Sequence, residues 1–181
     1  MPQERINQES TYKSASLAFN MIREVPYRLG LDGNPKKLFS ENFGNCTRKH
    51  LYLARHLYML GYQVTMGIAT FDWRDLPIPP EILKLLKESI DTHLFLIANF
   101  GHGKLNVDAT WDSQMPTGFP INNWDGDNSV QIGVPSRWIR EENYFVFNKR
   151  VQFSLVINLL RKKSEKPTPF NDEFNKWLGR A

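Results

Sequence analysis

Three residues of this sequence have side chains suited to nucleophilic catalysis. Cys46 is the one cysteine among 181 residues, and it follows Gly44-Asn45 where a helical pattern begins. The first turn of a helix carries unpaired amide groups and a partial positive charge, which favour thiolate over thiol. His93 and Asp108 follow in segments of alternating polarity. Together they could perform acyl transfer, with the thiolate as nucleophile, the imidazole as proton carrier and the carboxylate orienting the imidazole.

Hydrophobic periodicity predicts the elements that carry these residues. Apolar residues recur at helical spacing over residues 46–60, and Gly61 is placed to end that helix. Residues 10–24 predict an earlier helix capped by Ser10, and the turn-rich residues 26–45 predict a long surface loop. Cys46 is therefore expected in a first helical turn, directly after a loop.

The middle of the chain predicts strands. Residues 62–73 are rich in β-branched and aromatic side chains, and the prolines that follow open a short helix over residues 77–86. Residues 92–100 and 104–110 are two further strands, joined at Gly101-His102-Gly103. This hairpin holds both His93 and Asp108.

The remaining segments give weaker patterns. Asp125-Gly126-Asp127-Asn128 resembles part of a calcium loop but lacks the further oxygen ligands and the distal Glu, so a turn is expected. The predicted elements are a loop over residues 111–129, a strand over 130–134, a strand over 144–147, a helix or strand over 151–160 and a terminal helix over 171–178.

The hairpin pattern constrains where His93 and Asp108 lie. If both strands bury their apolar faces on the same side, the residue numbers of every directly opposed pair must add to an odd total. The same register brings His93 and Asp108 together. A turn at Phe100-Gly101 makes them direct partners, and a turn at Gly101-His102 makes them diagonal neighbours. A three-residue loop would bury Asp108 among leucines instead, which is costly. The apolar set is Leu94, Leu96 and Ala98 with Leu105, Val107 and Ala109.

Each of these residues also has a structural interpretation. Cys46 could be an inert small hydrophobic residue, His93 a satisfied sheet histidine and Asp108 the residue that closes a turn. His50 follows Cys46 by four residues, a spacing that suits a metal pair, but no metal-binding motif accompanies it. His50 is therefore expected to pack inside its helix, and no metal is expected.

Composition and charge exclude several classes of protein. No apolar run approaches the ~20 residues that span a bilayer, and the first residues lack the apolar segment of a signal peptide. We expect a soluble, cytoplasmic protein with a single domain over residues 1–181 and no membrane partner. The net charge of +4 arises in residues 150–181, which hold seven basic and three acidic side chains. A solvated helix face explains this basic segment; binding of nucleic acid or an anionic surface is the alternative, and no nucleic-acid partner is expected.

Taken together, three motifs resemble the transglutaminase-like superfamily of papain-like fold. They are Gly44-Asn45-Cys46, Asp91-Thr92-His93-Leu94-Phe95 and Val107-Asp108-Ala109-Thr110-Trp111-Asp112. The resemblance covers a core of about residues 25–134. It implies an α+β fold in which the Cys46 helix packs on an antiparallel sheet, and a Cys46-His93-Asp108 triad that works through a thioester without a cofactor.

The resemblance also implies a substrate class and further site residues. Related enzymes act on amides of peptides, proteins or small molecules and use a second oxyanion donor upstream of the cysteine, for which Asn42 and Tyr27 are the candidates. Trp73, Trp111 and Trp124 are candidates for lining a substrate groove.

Two alternatives to this assignment remain open. Arylamine N-acetyltransferases share the order of the three residues, but they carry an acidic residue two positions after the cysteine, where this chain has Arg48. A binding module that keeps the fold without turnover is the other alternative. The sequence gives no indication of the oligomeric state.

Overall fold

A computed structural model describes residues 2–101, 103–142 and 168–180, without the side chains of residues 2–7 and Glu142. Short 3-10 turns lie at Pro35–Lys37 and Trp73–Asp75. The helices and strands in chain order are α1 (Pro2–Arg23), α2 (Cys46–Met59), β1 (Gln63–Asp72), α3 (Pro80–Leu83), β2 (Ile90–Asn99), β3 (Lys104–Val107), β4 (Trp138–Glu142) and α4 (Pro169–Trp177).

The four strands form one antiparallel sheet. Their order is β3-β2-β1-β4, so β1 and β2 are central. The register places Ala69 of β1 opposite His93, and Leu96 of β2 opposite Val107. The α+β class predicted from the sequence is confirmed at this level.

Helices α1 and α2 cover one face of the sheet. Leu94, Leu96 and Ala98 of β2 point to this side, as the hairpin pattern predicts, and share a core with both helices. Leu53 and Leu57 of α2 are fully buried in it, and each such leucine contributes roughly 1.5–3 kcal/mol of hydrophobic stabilisation. This packing fixes the axis of α2 and therefore the place where its first residue, Cys46, emerges.

The opposite face of the sheet is buried as well, which the sequence did not predict. Phe95, Trp111 and Phe174 belong to a second apolar cluster there, and α4 closes it. Gly67 of β1 lies opposite Phe95 in the register, and the phenyl ring occupies the space that a side chain at position 67 would need. His93 therefore points into a covered interior and not toward an open sheet surface.

Several predicted elements differ from the structure. Helix α1 begins at Pro2, so Ser10 lies inside the helix and is not its cap; proline suits a first turn, and the residues after it are good helix formers. Residues 130–134 do not form a strand. The Val130 amide bonds to the backbone of β3, but the Gly133 amide donates to the side chain of Asp108. Strand β4 was not predicted.

Of the other predictions for the second half of the chain, some agree with the structure and some lie outside the described residues. The terminal helix is confirmed within two residues. Residues 125–128 form a turn, in which Asp125 Oδ1 accepts hydrogen bonds from the amides of Asp127 and Asn128. The predicted elements over residues 144–147 and 151–160 lie outside the described residues. In the part that the structure describes, no helix has both the length and the apolar character that a bilayer crossing requires.

Candidate functional site

Cys46 is the first residue of α2. The side chain of the preceding Asn45 caps the helix, with Oδ1 accepting from the Arg48 amide at 2.9 Å and Nδ2 donating to the Leu31 carbonyl at 2.9 Å. The cap holds the loop against the helix start, so the thiol is half-buried at the positive end of α2. This is the environment predicted for Cys46.

His93 and Asp108 form the contact that the strand register predicts. A four-residue loop places Asn99 opposite Lys104, so Asp108 lies diagonally across from His93. This matches the prediction for a turn centred on Gly101-His102. His93 Nε2 lies 2.6 Å from Asp108 Oδ2, and both side chains are buried. The contact is confirmed, whereas its role in catalysis remains a prediction.

The Asp108 carboxylate is held by backbone as well as by His93. Gly133 donates its amide to Oδ2 at 2.7 Å, and Thr110 donates its amide to Oδ1 at 3.1 Å. Burial disfavours the charged carboxylate, but the His93 charge and the hydrogen bonds outweigh burial and keep the pKa of Asp108 well below its ordinary value. The site therefore contains a fixed negative charge behind the imidazole.

The imidazole of His93 responds to that charge. Burial alone would lower its pKa, but the Asp108 charge, their hydrogen bond and the Cys46 sulfur together raise it above the ordinary value of 6.5. Nε2 is engaged by Asp108, so Nδ1 is the nitrogen left for the sulfur. The arrangement favours an imidazolium between the Asp108 carboxylate and the Cys46 sulfur.

Cys46 and His93 line the same cavity, which has a volume of about 440 Å³. Aromatic side chains form much of its wall, and the exposed apolar side chains of Leu85 and Ile90 contribute to its lining. The aromatic residues are Tyr27, Phe71, Trp73, Trp111 and Phe170. Trp73 and Trp111 therefore lie where the sequence predicts a groove.

Two predicted site residues lie elsewhere. Asn42 is exposed in a turn with a φ of 53°, a left-handed conformation that asparagine tolerates, and does not line the cavity. Trp124 is buried in the helix-covered core against Phe19 and Tyr62, and its indole donates to the Asn128 carbonyl. Both predictions are wrong, because neither residue type nor loop position specifies which side of the sheet a side chain reaches.

His50 joins the cysteine helix to the segment that carries the acid. Its Nε2 accepts from the Ala109 amide at 2.9 Å and lies 3.4 Å from Asp108 Oδ1. Burial lowers the pKa of His50, so the ring stays neutral and keeps Nε2 as an acceptor. Among the described residues, no group of three or more His, Cys, Asp or Glu side chains could hold a metal ion.

Sequence reasoning missed three residues around the site. Gly133 approaches Asp108 so closely that a Cβ there would lie 3.2 Å from both carboxylate oxygens. An isolated glycine in an apolar run can indicate such an approach. Asp112 and Arg180 form a buried ion pair at 2.6 Å, and no local pattern predicts it.

Lys49 introduces a buried amine beside the site. Its Nζ donates to the carbonyls of Arg23 and Thr110, both at 2.8 Å. Burial is the main reason that its pKa falls to about 7, although the charge of Asp112 acts in the opposite direction. An unfolded lysine has a pKa near 10.4, so above pH 7 the unfolded chain binds more protons at this residue.

Unfolding above pH 7 is therefore coupled to protonation of Lys49, and we expect comparison with the Lys49→Met variant to reveal this coupling. Between pH 7 and pH 10 the unfolding free energy of the wild type should rise relative to the variant by up to about 1.4 kcal/mol per pH unit. His93 acts with the opposite sign, because its raised pKa makes the folded state bind more protons above pH 6.5. Urea titrations of both proteins at each pH isolate the lysine, and a difference independent of pH would contradict the prediction.

Comparison with protein-family models gave no match for this chain, and comparisons with curated proteins and with solved structures gave none either. The function is therefore inferred from the chemistry of the site alone.

Proposed function

We propose that this protein transfers acyl groups from amide substrates through a thioester on Cys46, with His93 as acid and base and Asp108 as the group that orients His93. One observation carries the proposal. A cysteine at the positive end of a helix shares a cavity with a histidine whose far nitrogen lies 2.6 Å from a buried carboxylate. Nucleophile, proton carrier and orienting acid are the three parts that such a reaction requires.

The first half-reaction forms the thioester. The Cys46 thiolate attacks the carbonyl carbon, a C–S bond forms and the carbonyl electron pair moves onto oxygen. When the carbonyl reforms, the C–N bond breaks and the His93 Nδ1 proton passes to the leaving amine. The Cys46 amide belongs to the first turn of α2 and has no partner within the helix, so it is available to the oxyanion.

The second half-reaction releases the acyl group. Water or an amine attacks the thioester while neutral His93 accepts its proton, and the C–S bond then breaks to restore the thiolate. Asp108 remains ionised throughout, because its hydrogen bonds stabilise the charged form. Hydrolysis and aminolysis use the same residues and differ only in the second nucleophile.

We infer that the fold is the papain-like fold of the transglutaminase-like superfamily. The order of a cysteine helix followed by a hairpin with histidine and aspartate supports this assignment. Arg48 occupies the position where arylamine N-acetyltransferases carry an acid, and here it is a buried cation paired with Asp32 and Glu41. Amides of peptides, proteins or small molecules are therefore favoured as substrates over acetyl-coenzyme A.

The proposal is tested with p-nitrophenyl acetate, an activated acyl donor that needs no substrate identification. We expect acetylation of Cys46 at pH 7 at least about tenfold faster than that of the urea-unfolded chain, because an ordinary thiol is only a few per cent thiolate at this pH. Intact mass and peptide mapping locate the acetyl group, and Cys46→Ala is the control. Equal rates for the folded and unfolded chains would refute the enzyme and leave a binding module.

A further inference from the structure

Two apolar side chains in the wall of the cavity are exposed. Leu85 follows α3 and is 37% exposed, and Ile90 is the first residue of β2 and is 45% exposed. Both line the cavity to which Cys46 and His93 belong. Ligand-binding clefts are lined mainly by apolar side chains and contain few polar groups. Apolar surface is therefore open to a ligand in the cavity of the reactive pair.

The start of β2 connects this apolar surface to His93. The four residues from Ile90 to His93 all line the cavity. A strand rises by about 3.3 Å per residue, so these two residues are separated by about 10 Å along β2. The cavity volume of about 440 Å³ lies in the range of small-molecule sites. The apolar surface and the reactive pair therefore belong to one site of ordinary size.

Polar groups in the cavity wall are bonded within the protein. The Trp73 indole donates to Asp91 Oδ2 at 3.3 Å. The Asn45 side chain donates to the Leu31 carbonyl at 2.9 Å, and the Thr168 hydroxyl caps α4. Each of these bonds occupies a group that a polar substrate would otherwise use. The wall therefore favours a ligand that needs few hydrogen bonds.

The charged side chains of the wall do not select a charged substrate. Apart from His93, those among the described residues are Lys87, Glu88 and Asp91. Lys87 and Glu88 are adjacent, opposite in sign and exposed, so solvent screens both. Asp91 accepts from the Thr92 amide at 2.7 Å as well as from the Trp73 indole. Apolar contact is therefore the main interaction that the wall offers.

Helix α4 supplies a further apolar part of the wall. Pro169 and Phe170 of its first turn line the cavity. Phe170 packs edge-on against Trp73, with 5.2 Å between the ring centroids, and both residues are more than nine-tenths buried. This packing fixes the two rings, so the surface is preformed. Helix α4 also lies outside residues 25–134, so this part of the wall is not implied by the resemblance.

We propose that the cavity is an acyl-binding site for amides whose acyl group carries an apolar chain or ring, with Leu85, Ile90 and Phe170 as specificity-determining residues. This inference rests on the proposed function and adds no step to its two half-reactions. Between those half-reactions the amine leaves and a second nucleophile enters, whereas the acyl group stays on the Cys46 sulfur. A preformed apolar wall therefore suits the acyl group better than the amine.

A series of p-nitrophenyl esters tests the site, because the leaving group stays the same while the acyl chain grows. The measured quantity is the rate of Cys46 acylation divided by that of the urea-unfolded chain, which removes the intrinsic reactivity of each ester. We expect this ratio to rise from acetate through butyrate to hexanoate, by up to about fourfold for each methylene that becomes buried. A ratio that is constant or falls with chain length would overturn the inference.

Substitutions at exposed positions of the wall test the residues. Ile90→Thr keeps a β-branched side chain in the strand, and Leu85→Gln keeps a similar length. We expect each to lower the hexanoate-to-acetate ratio by about fourfold, the effect of one buried methylene. Ile139→Thr and Leu17→Gln are the matched controls, because both residues are exposed and lie outside the cavity wall. Equal effects of wall and control substitutions would refute the assignment.

One further ester distinguishes two sources of an apolar acyl group. The p-nitrophenyl ester of N-acetyl-L-norleucine has the hexanoyl chain with an added acetamido group. If it reacts faster than the hexanoate ester after the same division, the acyl group is part of a peptide. If it reacts no faster, the acyl group is that of a simple carboxylic amide. Either result is consistent with an apolar acyl site, which the chain-length series decides.

The two proposals fail in different ways. If wild-type Cys46 reacts no faster than the unfolded chain with any ester, the proposed function fails. The acyl site is then measured by titrating hexanamide and acetamide into Cys46→Ala, with indole fluorescence as the signal because Trp73 and Trp111 line the cavity. We expect hexanamide to bind more tightly, by up to about fourfold per added methylene. Equal affinities would refute the acyl site even if Cys46 is an active nucleophile.

Discussion

His93→Gln is expected to stop the protein at the thioester. The glutamine amide can reach Asp108 Oδ2 as His93 Nε2 does at 2.6 Å, so the carboxylate keeps a donor, but an amide cannot carry a proton between nucleophile and leaving group. Loss of general acid–base catalysis lowers rates by about 10²- to 10⁴-fold. With p-nitrophenyl acetate, acetyl-Cys46 should accumulate slowly and then persist.

Intact mass against time, together with steady-state release of p-nitrophenolate, measures this arrest. His56→Gln is the matched control, because His56 lies in the last turn of α2 and stacks on Tyr52, outside the cavity. If His93→Gln hydrolyses its thioester at the wild-type rate, His93 does not act as the base.

Asp108→Asn is expected to fold and to lose most of its activity. The asparagine amide nitrogen takes the Oδ1 position, while the remaining oxygen keeps its bonds from His93 and Gly133. Only the bond from the Thr110 amide is lost, at a cost of about 1–3 kcal/mol in unfolding free energy. Misorientation of the imidazole lowers kcat by up to about 10⁴-fold in comparable triads.

The same substitution should change the pH profile of thiol labelling. Burial lowers the pKa of His93, and the Asp108 charge is the main opposing influence. In Asp108→Asn the pKa of His93 therefore falls, the imidazole is neutral at pH 7 and the Cys46 sulfur loses the positive charge beside it. Iodoacetamide labelling should slow at pH 7 and recover near pH 8.5, where an ordinary thiol ionises. An unchanged pH profile would refute a role for Asp108 in the reactivity of Cys46.

The sequence predicted the parts of this site that follow from local rules. Strand periodicity alone required His93 and Asp108 to share a face, because any other register buries a carboxylate among leucines. The position of Cys46 followed from the glycine and asparagine before it and the helical pattern after it. Both inferences depend on residues near each other in the chain, where backbone geometry restricts the possibilities.

The parts that were missed depend on contacts between distant segments. Asp112 and Arg180 are 68 residues apart in sequence, and Arg180 binds a backbone carbonyl of Tyr27, which any residue type would offer. The misassigned Trp124 shows the same limit, since an aromatic residue in a loop packs equally well on either side of a sheet. The basic charge of residues 150–181 suggested solvent exposure, but Arg180 is buried because Asp112 neutralises it.

The absence of a side chain at Gly67 makes the candidate site sensitive to β1, a strand that contributes no polar side chain to the cavity. Phe95 fills the space above this glycine, and its ring is nearly parallel to that of His93, with an angle of 10° between their planes. Even a methyl group at position 67 would displace the phenyl ring, whose centroid lies 6.5 Å from that of the imidazole. A substitution at this position would therefore alter the alignment of the histidine, although Cys46, His93 and Asp108 themselves remained unchanged.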